Sequence, residues 1–344
     1  MTRLGLLVLT SVVLLGCTSG QSSKKPSGVT TISAPYELLL AADKEWVANG
    51  SGAELMELLK SDVAVLPQSE ACFRVININP VAFKDQFRGY AEIMYVETNP
   101  TYTEPKLTIT RDVYAHPQTI LTVQAHDRRQ AAEFIKEKGD YILRTFINAE
   151  LSRETIYLRK TFSQKVMDQA LKQFGRKIYA PKDISSVKVG KDFFWASAMD
   201  RENMLNICMY EFPLDDEDGE DGEMEQTLDS FMVHRNAIMK DNVQGDKPGS
   251  YMTTQPLGLM GEVVAEDGRT ILEVRGLWRM ENDMMGGPFV SYTWIDPQKR
   301  KAFVAEGFVY APQRKKRELI RELEASLRTI TVPDSSNKNE NDNN

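Results

Sequence analysis

Histidine and cysteine are scarce in this 344-residue chain, at three each. His116, His126 and His234 form no HExxH, and no CxxC or mixed Cys/His cluster occurs, which leaves little material for a zinc centre. A GxSxG nucleophile turn and a phosphate-binding P-loop are missing as well. No motif implies a cofactor. An excess of basic charge is also lacking: the formal net charge is −7, a poor basis for nonspecific nucleic-acid binding, which needs a clustered cationic face. Nor is there an apolar run of the ~20 residues that a membrane-spanning helix needs. What remains is ordinary globular material, 42% hydrophobic and 26% charged, and enough chain for two globular units.

The stretch that organises the chain is Leu14-Leu15-Gly16-Cys17. Met1-Thr2-Arg3 carries the positive charge of a signal n-region, and Leu4 to Leu15 is almost unbroken apolar sequence. The arrangement resembles a bacterial lipobox. That resemblance implies cleavage before Cys17, lipid on its thiol and attachment to a membrane through that lipid. Thr18 to Ala34 is rich in Ser, Thr, Gly and Lys without apolar periodicity, and reads as a flexible tether. Thr18 stands where an aspartate would suggest inner-membrane retention. The tether also lacks the acidic cluster that resembles a surface-export signal in Bacteroidota-type lipoproteins, so the expected address is the periplasmic face of the outer membrane. Of the remaining cysteines, Cys72 and Cys208 lie in strand-like contexts and read as small core hydrophobes. Export leaves a disulfide between them chemically open.

The expected fold class is α+β: two mixed α/β units, the second ending in an antiparallel meander packed by helices. The expected divisions are a signal over 1–16, lipidated Cys and tether over 17–34, units over 35–151 and 152–332, and a disordered tail over 333–344. In the first unit, strands are expected over Tyr36 to Ala41, Phe73 to Ile78, Ile93 to Val96, Lys106 to Thr110 and Thr119 to Gln124. Ser51 is expected to cap one helix and Asp127 a long one with Gly139 in its middle, where glycine costs about 1 kcal/mol relative to alanine. In the second, Ser163 and Gly175 bound a helix, Phe193 to Ala198 and Leu205 to Phe212 read as strands, and Leu228 to Met239 suits a helix. Leu259 to Ala265, Thr270 to Met280, Phe289 to Ile295 and Lys301 to Tyr310 have links too short for parallel crossovers. A last helix, Gln313 to Leu327, would lay Leu319, Ile320, Leu323 and Leu327 on that sheet.

The most unusual lines are Arg275-Gly276-Leu277-Trp278, Met284-Met285-Gly286-Gly287-Pro288-Phe289-Val290-Ser291-Tyr292 and Glu306-Gly307-Phe308-Val309-Tyr310-Ala311-Pro312. Together they resemble a Bacteroidota lipoprotein family of unknown function over nearly the whole mature chain. The resemblance implies a compartment and a fold but no chemistry. Physically, Gly286-Gly287 permits positive φ and close backbone approach, with Pro288 leading into the next strand. Trp278, Phe289, Tyr292 and Trp294 would then form an aromatic platform for a glycan or peptide, with Arg275 and Asp283 as polar partners. The bland alternative is a tight turn between core strands, since large rings are usually buried.

Two charged runs complete the inventory. Asp215 to Glu225 falls into an EF-hand register only with Leu214 at the first ligand position, so it reads as a solvated loop rather than a calcium site. Arg314-Lys315-Lys316-Arg317 suits anionic headgroups or, more simply, a solvated helix face pairing with Glu318, Glu322 and Glu324. Its place at a helix N-terminus opposes the macrodipole and asks for another reason. Catalysis has little support. The leading expectation is a noncatalytic, lipid-anchored interaction or assembly module with an envelope protein partner. A glycan- or peptide-binding lipoprotein is the alternative, and a hydrolase built on two carboxylates comes third.

Overall fold

The computed structural model describes residues 29–198, 204–214, 228–256, 258–266, 269–296 and 299–331. The expected signal, Cys17, most of the tether, the acidic run and the tail beyond 331 lie outside the described residues. The first unit alternates strands and helices: β1 (Glu37–Ala41), α1 (Lys44–Asn49), α2 (Ala53–Leu59), β2 (Arg74–Ile78), β3 (Glu92–Thr98), β4 (Lys106–Arg111), β5 (Thr119–Ala125), α3 (Arg128–Glu137) and α4 (Gly139–Lys160). Its sheet runs β2-β1-β3-β5-β4, parallel throughout except for the edge strand β4. All four helices pack on one face, where Leu38, Leu40, Met94, Val96, Leu121 and Val123 meet Leu55, Ile135, Ile142 and Phe146.

Three local expectations change. Ser51 does not cap α2, whose N-cap is Gly52 without a side-chain hydrogen bond; Ser51 Oγ instead accepts from Trp46 Nε1 at 2.9 Å, and Asp43 caps a preceding short helix, α1, by accepting from the N–H of Trp46 at 2.8 Å. Asp127 does cap a helix, accepting from Gln130 N at 2.8 Å, but the long helix breaks at Lys138. Gly139 therefore opens α4 instead of weakening its middle, and α4 continues through Leu151, the expected unit boundary, to Lys160. The last residues assigned to the tether are also fastened: Ile32 N donates to Gly89 O at 2.9 Å, and Thr30 bridges His116.

The second unit comprises α5 (Gln164–Phe174), β6 (Ile184–Gly190), β7 (Phe193–Ala198), β8 (Met204–Pro213), α6 (Leu228–Asn242), β9 (Tyr251–Thr254), β10 (Met260–Glu266), β11 (Arg269–Glu281), β12 (Gly286–Asp296), β13 (Lys301–Tyr310) and α7 (Arg317–Leu327). Gly175 ends α5 in the left-handed region, at φ 64°. The four expected strands are the antiparallel meander β10-β11-β12-β13, and the sheet continues through β8, β7 and β6 with β9 pairing β11. The fold is thus α+β, a mixed sheet followed by an antiparallel one.

Strand alternation gives this sheet two buried faces. One faces α5 and α7, with Ile207, Met209, Val290, Tyr292 and Ala305 against Val166, Ala170, Ile320, Leu323 and Leu327. The other faces α6, with Cys208, Tyr210, Trp278, Phe289 and Val304 around Phe231 and Met239. Each fully buried side chain of this size contributes roughly 1.5–3 kcal/mol. Both Cys72 and Cys208 are buried and unbonded.

Candidate functional site

Arg275 and Tyr292 project from the meander into a cleft of about 340 Å³ between the two units. Their placement follows from period-two alternation: Glu273 pairs with Tyr292 and Arg275 with Val290, so Glu273, Arg275 and Tyr292 share one face. α7 adds Arg321, Glu324 and Arg328 at helical spacing, and α4 adds Arg144, Ile147 and Asn148 from the first unit.

Glu324, fully buried, is the hub. Its carboxylate lies 2.7 Å from Arg275 Nη2, 2.7 Å from Arg321 Nη1 and 3.3 Å from Arg328 Nη2. Burial opposes its ionisation, but Arg275, then Arg321 and Arg328, outweigh that and hold the carboxyl well below the ordinary glutamate range. Glu273 takes a second contact from Arg275 at 2.6 Å, and Arg144 pairs with Glu262 at 2.9 Å. Arg328 donates to Tyr292 Oη at 3.2 Å and to Asn148 Oδ1 at 2.9 Å, tying α7 to α4. Burial, reinforced by Glu324, pushes the Tyr292 hydroxyl up, so it stays protonated. Among the described residues, Arg321 Nε is buried without a hydrogen-bond acceptor. With four arginines facing three glutamates, the lining suits a small anionic group.

The other sequence candidates lie elsewhere. Trp278 and Phe289 sit on the opposite face of the sheet, so the expected aromatic platform divides in two. Trp278 Nε1 donates to Val309 O at 3.1 Å, and Phe289 lies beneath the Arg235 guanidinium, 4.1 Å from ring to carbon. Trp294 is half-buried, edge-on to Tyr292 at 6.0 Å, on the cleft side of the sheet. Asp283 belongs to the turn, accepting from Lys247 Nζ at 2.8 Å and Met284 N at 2.7 Å. Gly286 and Gly287 serve close approach and not positive φ, which in this turn belongs to Asn282. A Cβ on Gly287 would stand 2.0 Å from Val309 O.

Two further buried charge groups gave no linear signal. Arg235 on α6 and Glu306 on β13 are both fully buried and joined by two hydrogen bonds, at 2.7 and 2.6 Å. In the first unit, Arg153 bridges Glu92 and Glu150, and burial, with Glu150 adding to it, pushes the Glu92 carboxyl well up. Glu92 is wholly enclosed, so this pair does not present two carboxyls to an open cleft. Among the described residues no group of three or more His, Cys, Asp or Glu is arranged to hold a metal ion, and no helix is long and apolar enough to cross a membrane.

Arg314 and Lys315 of the basic run are exposed as expected, and Arg317 pairs with Glu318, but the second half of the run departs from a solvated state. Lys316 is buried: its N–H donates to Glu70 Oε1 at 2.7 Å and its Nζ to Gln68 Oε1 at 2.9 Å. Arg317 N donates to Glu70 Oε2 at 3.0 Å, and its Nη1 to Ala71 O at 2.8 Å. The cluster docks the start of α7 onto the first unit, and a carboxylate from that unit offsets the unfavourable placement of basic charge at a helix N-terminus.

Comparison with known proteins gives families without chemistry. No curated protein matches the chain. Two solved structures show a weak likeness that carries no argument about function. One is a crystal structure from Bacteroides thetaiotaomicron, at 13% identity and TM-score 0.25 over 47% of this chain and 46% of that one. The other is a mutant of protein Mog1, at 11% identity and TM-score 0.28 over 47% of this chain and 93% of that one. The chain thus spans about half the length of the first of these. Residues 31–158 match a domain of unknown function, DUF8532, and residues 163–329 match another, DUF4837.

Proposed function

We propose that the protein is a noncatalytic interaction module, held by lipid on Cys17 at the periplasmic face of the outer membrane, whose partner is another envelope protein. The lipobox-like Leu14-Leu15-Gly16-Cys17 supports the anchor, and the Gly-Leu-Trp and Met-Gly-Gly-Pro-Phe lines support membership of a Bacteroidota lipoprotein family. The observation that carries the module reading is the docking of the units through Glu70 and the α4–α7 contact. Charges that converge between the units are engaged with one another, which suits a stiff surface presented at the end of a tether better than a reacting centre.

Crosslinking of tagged protein in its native host, read by quantitative mass spectrometry beside a secreted Cys17→Ser control, tests the proposal. One envelope protein enriched near one-to-one and lost without the anchor is the expected result; no such partner counts against it. A ligand-binding reading has one specific support, the arginine-rich cleft with the buried, unpartnered Arg321 Nε donor at its wall. Trp294, in ring contact with Tyr292, would report an anionic glycan or peptide through its fluorescence. A flat titration across a panel of envelope glycans and peptides removes that reading.

A further inference from the structure

A mostly parallel sheet is ordinarily covered on both faces. The first sheet has helices on one side only; the other side carries Leu39, Ile78, Ile93 and Ile120, buried under loops and turns instead. Among the described residues that side is covered only by two 3-10 turns, Pro80–Ala82 and Asp85–Gly89, and by the 112–118 loop. These segments bring up half-buried rings in mutual contact, Phe83 lying 5.6 Å from Tyr95 and 5.8 Å from Tyr114 with Arg88 stacked over Tyr114 at 4.9 Å. Around them, exposed aliphatics stand out into solvent: Val81 is 91% exposed, Ile32 65% and Val113 39%. Lys84 and Arg88 are exposed on the same turns, with Asp85 beside them and Asp112, paired with His116, on the adjoining loop.

The chain arrives from its N-terminus at the rim of this patch. Ile32 is hydrogen-bonded to Gly89 and packs on it, and Val29 O accepts from His116 N at 2.8 Å. Cys17 stands a dozen residues before Val29. Twelve residues of chain reach at most about 40 Å even when fully extended, so a lipid on Cys17 would keep this patch near the bilayer. Rings and aliphatics flanked by basic side chains suit the boundary between headgroups and acyl chains. Tethering also gives an effective concentration on the order of millimolar, at which a weak contact is populated.

We propose that this face of the first unit is the membrane-facing surface of the protein. Val81, Phe83, Phe87 and Tyr114 lie against the phospholipid headgroup layer, Lys84 and Arg88 meet its phosphates, and the second unit is left free for a partner. The inference rests on the lipid-anchor reading above.

The test uses the full lipidated protein reconstituted into phosphatidylethanolamine/phosphatidylglycerol vesicles, with an environment-sensitive fluorophore on Val81→Cys or, as control, on Val233→Cys, exposed on α6 of the second unit. Cys72 and Cys208 are buried, so the introduced thiol is labelled selectively. Flotation reports the anchor, and a lipid-borne shallow quencher reports the face. A face seated in the headgroup boundary gives a blue shift at position 81 and quenching about twofold or more above position 233. Adding Phe87→Asp should abolish that difference while flotation persists. Equal, weak quenching in protein that still floats overturns the proposal and leaves the anchor standing. Failure to float, with no lipid mass on Cys17, overturns both. A shift at position 81 caused by soluble envelope polysaccharide and not by vesicles assigns the face to a glycan instead.

Discussion

Glu70 caps a helix whose N-cap residue lies 246 residues after it, accepting the N–H of Lys316 at 2.7 Å and that of Arg317 at 3.0 Å. A cap is ordinarily a local device, supplied by the residue just before the helix. Here α7 has none from its own segment, and the first unit provides it. Folding of the last helix is thereby linked to docking of the two units.

Glu70→Ala should cost about 2 kcal/mol, the upper end for loss of a cap, because two backbone N–H groups lose their acceptor in a buried setting. Urea unfolding followed by tryptophan fluorescence and by far-ultraviolet circular dichroism measures it. Separation of the two traces in the variant alone would show that this contact makes the units unfold together. An unchanged midpoint and slope would deny it that role.

Two glutamates two residues apart in α7, on opposite sides of the helix, should respond to pH in opposite directions. Burial, then Glu154 and Asp183, pushes Glu322 up to about 7. A raised carboxyl ionises more readily in the unfolded chain, so its contribution is intact below the unfolded value of about 4.3 and is lost as pH rises through the folded one. Glu324 is depressed by Arg275, Arg321 and Arg328 against its burial; its contribution is present above the unfolded value and lost as pH falls toward the folded one. Glu322→Gln should therefore raise the melting temperature at pH 8 and leave it nearly unchanged below pH 4. An equal effect at both pH values would contradict this assignment.

The Arg235–Glu306 pair is fully enclosed, so removing one partner leaves an uncompensated charge. Glu306→Leu or Arg235→Met alone should cost roughly 3–5 kcal/mol, whereas the double variant should recover much of the loss. A double-mutant cycle in guanidinium chloride reads the coupling, and additive losses would refute it.

Gly287→Ala places a methyl carbon 2.0 Å from Val309 O, where the facing atom is backbone and strand pairing resists movement. The expected cost is about 1–3 kcal/mol, as for other overpacked sites. Met284→Ala, at a 98% exposed position of the same turn, is the neutral control. Thermal melts of both variants suffice, and a neutral Gly287→Ala would mean that the strand shifts freely.

Local sequence was enough for most elements, because caps, turns and apolar periods act over a few residues. The Asp127 cap, the Gly175 stop and the four meander strands were legible in this way. The break between α3 and α4 was not, since Ala131, Ile135, Ile142 and Phe146 keep one apolar stripe across it. Neither β6 nor β9 was expected: β6 is largely exposed and β9 has four residues, so both depend on a neighbouring strand for pairing.

The candidate site divides along the same line. That Arg275, Trp278, Phe289 and Tyr292 belong to two adjoining strands could be read from the chain. Which rings share a face follows from the register, and what covers each face depends on α6 and α7, packed from distant parts of the sequence. Glu324 and Lys316 look like solvated helix charges in one dimension and are buried in three, because their partners, Arg275 and Glu70, come from other elements. Short-range patterning thus determined the α+β elements and the lipobox-like start. Only the tertiary structure decided which charges are paired, which aromatics are core and which sheet face is covered by turns instead of helices, since burial is a property of surfaces that meet across the chain.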